Sequence, residues 1–151
     1  MPVHLIGPPE GKRGSRADAR LLARRARTAM KALGHARSEL SIALVDDAAI
    51  AELNAGYRDK RGPTDVLSFS LLEGEDAEHR GGLLGDVVIS VETAARQAAE
   101  RRRGLDDELA RLMVHGLCHL VGHDHERDDE AREMAAAERR LRRAIREAEG
   151  G

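Results

Sequence analysis

Hydrophobic and polar positions change period several times along the chain, and each change predicts an element. Val3 and Leu5 alternate with their neighbours as a short strand does, before a proline- and glycine-bearing turn from Gly7 to Gly14. Ser15 followed by Asp18 signals a helix start, and Leu22, Ala26, Met30 and Leu33 recur on one face until Gly34. Leu40, Ile42 and Leu44 alternate as a second strand. Asp46 or Asp47 can cap a short helix to about Asn54, with a polar loop from Asn54 to Pro63. Val66 to Leu71 and Leu84 to Val91 read as two further strands, joined by a charged, glycine-bearing connection from Glu73 to Gly82. Two helices separated by Gly104 follow. In the second, Leu105, Leu109, Leu112, Gly116 and Leu120 share an apolar face, and Gly122 suits a left-handed stop. A last helix from Asp128 or Asp129 keeps Met134, Ala137, Leu141, Ile145 and Ala148 on one side, with Arg139, Arg140, Arg142, Arg143 and Arg146 around it. Strands and helices interleave without a strict βαβ rhythm. The expectation is a single α+β domain over residues 1–151, a small mixed sheet packed with helices.

Composition narrows the function. A chain of 151 residues, 41% of them apolar, holds one core, and its 34% charged residues interrupt every apolar run well short of the roughly 20 residues of a membrane span. Nothing in Met1 to Gly7 has the basic head of a secretory signal, and the single cysteine, Cys118, excludes a disulfide framework, so the expected location is the cytoplasm. With 25 basic against 27 acidic residues the net charge is −2, and no global field recruits polyanions. Tyr57 and Phe69 are the only aromatics. A stacking platform for bases is therefore absent, and any RNA partner is held by its phosphates.

The chemistry is concentrated in His115-Gly-Leu-Cys-His-Leu-Val-Gly-His-Asp-His125. Residues four apart share a helix face, so His115 and His119 offer two imidazoles to one ion. Gly122 lets the chain turn back, and a third imidazole past the turn completes three protein ligands with a fourth position open, the pattern of a catalytic zinc site. His125 and His123 compete for that third place. The His-x-x-x-His-x-x-Gly-x-x-His spacing of one class of zinc proteases favours His125 and leaves His123 to flank the cleft. Cys118, as a thiolate, is a conceivable soft ligand, although a lone cysteine in a helix usually behaves as a small hydrophobe.

Those proteases place a glutamate after the first histidine as general base, and here the residue is Gly116. A peptidase would need its base from Asp124, Glu126 or Asp86. Three neutral imidazoles also leave a divalent ion's charge uncompensated, which favours an anionic substrate such as a phosphodiester. Arg58 suits a phosphate clamp because guanidinium offers paired donors. Asp86, ahead of an apolar strand, could orient a ligand histidine. The pair Thr64-Asp65 orders the entry to the following strand. Arg101 to Arg103 and Arg139 to Arg146 read as solvated helix faces that could add phosphate contacts.

The histidine run resembles the signature of the YbeY endoribonucleases, bacterial rRNA maturation factors. So do Asn54-Ala-Gly-Tyr-Arg58, continuing to Pro63-Thr-Asp-Val-Leu-Ser-Phe69, and Leu84-Gly-Asp-Val-Val-Ile-Ser90, with Met134 and Glu138 in the last helix. The resemblance implies a zincin-like fold and a metal-dependent, single-strand-specific endoribonuclease. It further implies 16S rRNA 3′-end maturation and ribosome quality control, with rRNA and ribosomal particles as partners. It gives His115, His119 and His125 as ligands of one Zn2+ per chain and Arg58 as the functional arginine beside Tyr57. Arg58 and His115 are thus the candidate catalytic residues, with Asp86, Asp124 and His123 around them. No organic cofactor and no membrane partner are expected. The chain departs from the family at Ser70, where proline is usual, at His123, where tyrosine is common, and at Ala135, where an aromatic is usual. The competing readings are a ribosome-assembly factor with a structural metal and a zincin-like metallopeptidase.

Overall fold

In the computed structural model, which describes residues 3–58, 64–70, 82–123 and 126–150, the alternating segment around Ile42 becomes strand β2 (Glu39–Val45) inside a four-stranded sheet. Its partners are β1 (Val3–Ile6), β3 (Val66–Ser70) and β4 (Leu83–Ser90), in the order β1-β2-β4-β3. β1, β2 and β4 are parallel, with Val3 opposite Leu40 and Ile42 opposite Val87, while β3 runs antiparallel to β4 with Val66 opposite Ile89. Parallel neighbours need a crossover. Helix α1 (Ala19–Ala32) supplies the one between β1 and β2, and α2 (Asp47–Arg58) followed by β3 lies between β2 and β4. After β4 come α3 (Val91–Glu100), α4 (Leu105–Leu120) and α5 (Asp128–Ala148). The α+β expectation with a mixed sheet is met.

Side chains alternate across the sheet and so divide the core in two. Leu40, Ile42, Leu44, Val87 and Ile89 join Leu22, Ala26 and Met30 of α1, Leu109, Leu112, Met113 and Leu117 of α4, and Met134, Leu141 and Ile145 of α5 in one buried cluster. Leu67 and Val88 point the other way and meet Ile50 of α2, with Ala43, Val45 and Phe69 packed alongside. Each fully buried Leu, Ile or Met contributes about 1.5–3 kcal/mol. The larger cluster therefore carries most of the apolar stabilisation, and α4 runs through it.

Helix ends follow the polar residues beside them. Asp18 accepts from Leu21 N at 3.1 Å to start α1, and Ser90 Oγ accepts from Thr93 N at 3.2 Å to start α3. Asp47 accepts from the hydroxyls of Ser90 (2.6 Å) and Thr93 (2.7 Å) and pairs with Arg96 at 2.9 Å, which ties α2 to α3. Burial alone would raise the Asp47 pKa, but these donors hold it below its ordinary value. Arg25 of α1 donates to both carboxylate oxygens of Glu149 at 2.8 and 2.9 Å, which clamps the end of α5.

Two boundaries and one burial differ from expectation. Asn54 to Arg58 is the last part of α2 rather than loop, because Asn54 follows Ile50 by one turn and is itself buried, so the inward stripe outlasts the apolar residues. β4 ends at Ser90, whose side chain caps α3, and Val91 is helical. Ala148 is exposed, beyond the last buried position of α5, Ile145. The connection from Glu73 to 81 and the residues 59–63 lie outside the described residues. Among the described residues no helix is long and apolar enough to cross a membrane.

Candidate functional site

Helix α4 carries acidic residues in its first turn, Asp106, Asp107 and Glu108, and His119 in its last, the polarity that its macrodipole favours. It stops as Gly122 predicts. Gly122 has φ +100°, its N–H reaches His119 O at 3.1 Å, and His123 N reaches Cys118 O at 3.0 Å, the paired bonds of a Schellman turn. The stop leaves His115 and His119 half-buried on one flank, with ring centroids 4.8 Å apart and ring planes at 80°. Spacing and geometry agree.

A carboxylate lies against this pair, and it comes from the last helix. Glu138 Oε1 is 3.4 Å from His115 Nδ1, and the Glu138 side chain is only 17% exposed. Contact with the His115 ring is the largest influence on the Glu138 carboxyl and holds its pKa below the ordinary value, against the burial that would raise it. An imidazole held at Nδ1 by a carboxylate presents Nε2 outward, as metal-ligating histidines usually do. The donor chemistry therefore fits a zinc-type ion at two positions. Among the described residues no three His, Cys, Asp or Glu side chains are gathered to hold an ion. The expected third ligand His125, with Asp124, lies outside the described residues.

The opposite side of α4 explains Gly116. A Cβ there would stand 2.9 Å from Val87 Cγ1, 3.0 Å from Ser68 Oγ and 3.3 Å from Val66 Cγ2, so the helix lies directly on β3 and β4. Ser68 donates to Gly116 O at 2.9 Å and Ser70 donates to Leu120 O at 3.2 Å. Leu120 O is one of the carbonyls a helix end leaves without an internal partner, and the departure from proline at Ser70 supplies the donor. Sequence reasoning missed these ties; the signal was the alternation Val66, Ser68, Ser70 on one face of a strand.

The other candidates distribute as follows. Cys118 is fully buried in the main cluster, and burial pushes its thiol up to about 12, so it packs as a small hydrophobe. Asp86 is opposite Phe69 and alternates with Val87, so it shares the sheet face of Val88 and α2, away from α4. The structure does not bring it to His115; the carboxylate beside that ring is Glu138. Arg58 closes α2, and its side chain lies outside the described residues. His123 is fixed by its backbone in the Schellman turn. Asp65 accepts from its neighbour Val66 N at 2.8 Å and from Gln97 at 3.2 Å. Gln97 in turn accepts from Arg111 at 3.4 Å, and Arg111 pairs at 2.7 Å with the fully buried Glu108. That chain of contacts holds the start of β3 against α3 and the turn of α4 that precedes His115.

This chain matches the family model described as Endoribonuclease YbeY over residues 13–146. It is 51% identical over 129 residues to "Endoribonuclease YbeY" of Anaeromyxobacter sp. (strain Fw109-5), covering 85% of this chain and 66% of the relative. It is 50% identical over 131 residues to the protein of the same name from Anaeromyxobacter dehalogenans (strain 2CP-C), covering 87% of this chain and 66% of the relative. The chain thus spans just under two thirds of the length of these curated relatives. A solution structure of a Thermotoga maritima protein superposes with a TM-score of 0.63 at 24% identity, covering 95% of this chain and 88% of that one, which shows a shared fold. A match that runs from before α1 into the last turn of α5, through the histidine helix, and relatives identical at half their aligned positions together show that the chain belongs to the endoribonuclease YbeY family.

Proposed function

We propose that this protein is a metal-dependent endoribonuclease that cleaves single-stranded RNA in the cytoplasm, acting on rRNA, including the 3′ end of 16S rRNA, in ribosome maturation and quality control. The observation that carries the reading is the imidazole pair on α4, backed by a glycine pressed on the sheet where a peptidase would need its glutamate. The zincin-like description of the fold belongs to the same proposal. His115, His119 and His125 would hold one Zn2+, with Glu138 orienting His115. When bound, the ion supplies Lewis-acid polarisation of a phosphoryl oxygen. Arg58 binds the scissile phosphate through its paired donors, and imidazole ligands, which would bring no charge to the ion, would keep the site receptive to an anion.

Two outcomes test this reading. Arg58→Ala should retain fold and zinc content yet lose roughly ten- to hundredfold in RNA cleavage, the worth of a charge-assisted hydrogen bond of about 1.5–3 kcal/mol. Lysine should restore little, since it lacks the planar fork. The assay compares single-stranded RNA, duplex RNA and casein; proteolysis without RNA cleavage would sink the proposal, and neither activity in zinc-replete protein would favour an assembly factor. Glu138→Gln keeps the shape but removes the carboxylate, and should weaken zinc binding about 10- to 100-fold in competition with a chromophoric chelator. An unchanged affinity would leave Glu138 as a helix-packing residue.

A further inference from the structure

We propose that the outward side of the second half of α5, built on Arg139, Arg142, Arg143 and Arg146, is a track for the phosphodiester backbone of the RNA strand that leads to His115. The inference rests on the endoribonuclease reading and adds to it a surface. With Arg140 and Ala136, these arginines line one concavity on α5.

Arg142 is half-buried and helps hold the Glu138 carboxyl below its ordinary pKa, but structural duties do not account for the exposed Arg139, Arg143 and Arg146. The helix macrodipole rewards basic residues in the last turn, which here means Arg146 alone. Among the described residues only Arg143 of the five has a carboxylate within ion-pair distance, Glu147 at 3.4 Å, and that pair is exposed on both sides. Packing of α5 falls instead to Met134, Ala137, Leu141 and Ile145. Four acidic residues of the helix, Asp128, Asp129, Glu130 and Glu133, precede the cluster and Glu138 and Glu147 flank it, so residues 139–146 hold five arginines and no acid in a chain of net charge −2.

Position supplies the second argument. Glu138 of α5 touches His115, and Arg142 follows Glu138 by one helical turn, about 6 Å along the axis. A strand lying on the arginines therefore reaches the histidine pair by continuing past Glu138. With two aromatic residues in the whole chain, such a track holds phosphates and leaves bases unread.

The test is fluorescence anisotropy of a labelled single-stranded 2′-O-methyl RNA oligonucleotide with the protein as purified, across a salt series, the oligonucleotide checked intact afterwards. Two triple variants remove equal charge: R139Q/R143Q/R146Q on α5, and R16Q/R20Q/R24Q in and before α1 as control. The α5 variant should bind at least tenfold more weakly at low salt, and its log–log salt slope should flatten by about 2, about 0.7 for each phosphate that is no longer neutralised. The control should stay within twofold of wild type. Should the triple variant lose its helical circular dichroism, R139Q and R146Q singly should each flatten the slope by about 0.7. Equal losses in both triple variants, or an unchanged α5 variant, would overturn the track while leaving the endoribonuclease reading intact. A wild-type protein that binds no RNA would overturn both.

Discussion

Replacing His119 with alanine is expected to abolish zinc uptake and to lower the melting temperature of zinc-loaded protein by on the order of 10 °C. The ring of His119 is 4.8 Å from that of His115, and its neighbour Cys118 cannot stand in for it, being buried in the core as a thiol. An ion bound only by the folded state, at about a thousand times its dissociation constant, adds about 4 kcal/mol of stability. In a chain of 151 residues each kcal/mol is worth about 2–4 °C. The variant should therefore melt where chelated wild type melts, because the half-buried ring contributes little to the core. His123→Ala should do much less, because the Schellman turn uses the backbone N–H of His123 and not its ring. Elemental analysis and thermal unfolding with and without chelator decide the matter. Equal metal loss at both positions would move the third ligand from His125 to His123.

Gly116→Glu should leave little folded protein. A Cβ at Gly116 meets the stiff, branched Val87 at 2.9 Å, and a carboxylate beyond it would be driven between α4 and the sheet without a partner. Overpacking costs about 1–3 kcal/mol, and an unpaired buried charge takes the total beyond about 4 kcal/mol, a large part of a typical domain's 5–15 kcal/mol. Gly116→Ala separates the terms. Alanine regains about 1 kcal/mol of helix propensity, so its net loss should be no more than about 2 kcal/mol. Denaturant unfolding of the alanine variant and soluble yield of the glutamate variant measure both. A glutamate variant as stable as wild type would mean that α4 can lift from β3, and would reopen the peptidase reading.

Much of this arrangement was legible from spacing. The alternation at Leu40, Ile42 and Leu44, the stripe of α4 and the stop at Gly122 each express one local rule, and the structure follows them. What escaped was tertiary. Asn54 is a turn-favouring residue by local preference, yet it is buried on α2 and its helix runs on to Arg58. Asp86 and Glu138 are both acids at the edge of apolar segments, and only strand alternation and the packing of α5 on α4 decide which one faces His115. Likewise nothing local predicts that Ser68 and Ser70 donate to the carbonyls of α4, because those partners are about 50 residues away.

The strand order also sets a timetable for the emerging chain. β4 is central in the sheet but fourth in sequence, with β2 on one side and β3 on the other. While the ribosome is still making residues before Leu83, β2 has a bare edge, and Leu40, Ile42 and Leu44 lack the α4 side chains that cover them. Nascent chains in that condition are prone to associate with one another. The platform closes only when β4 slots in, and the histidine helix is synthesised after it. His115 and His119 are thus laid onto a finished sheet, and any slip in β4 is inherited by both imidazoles.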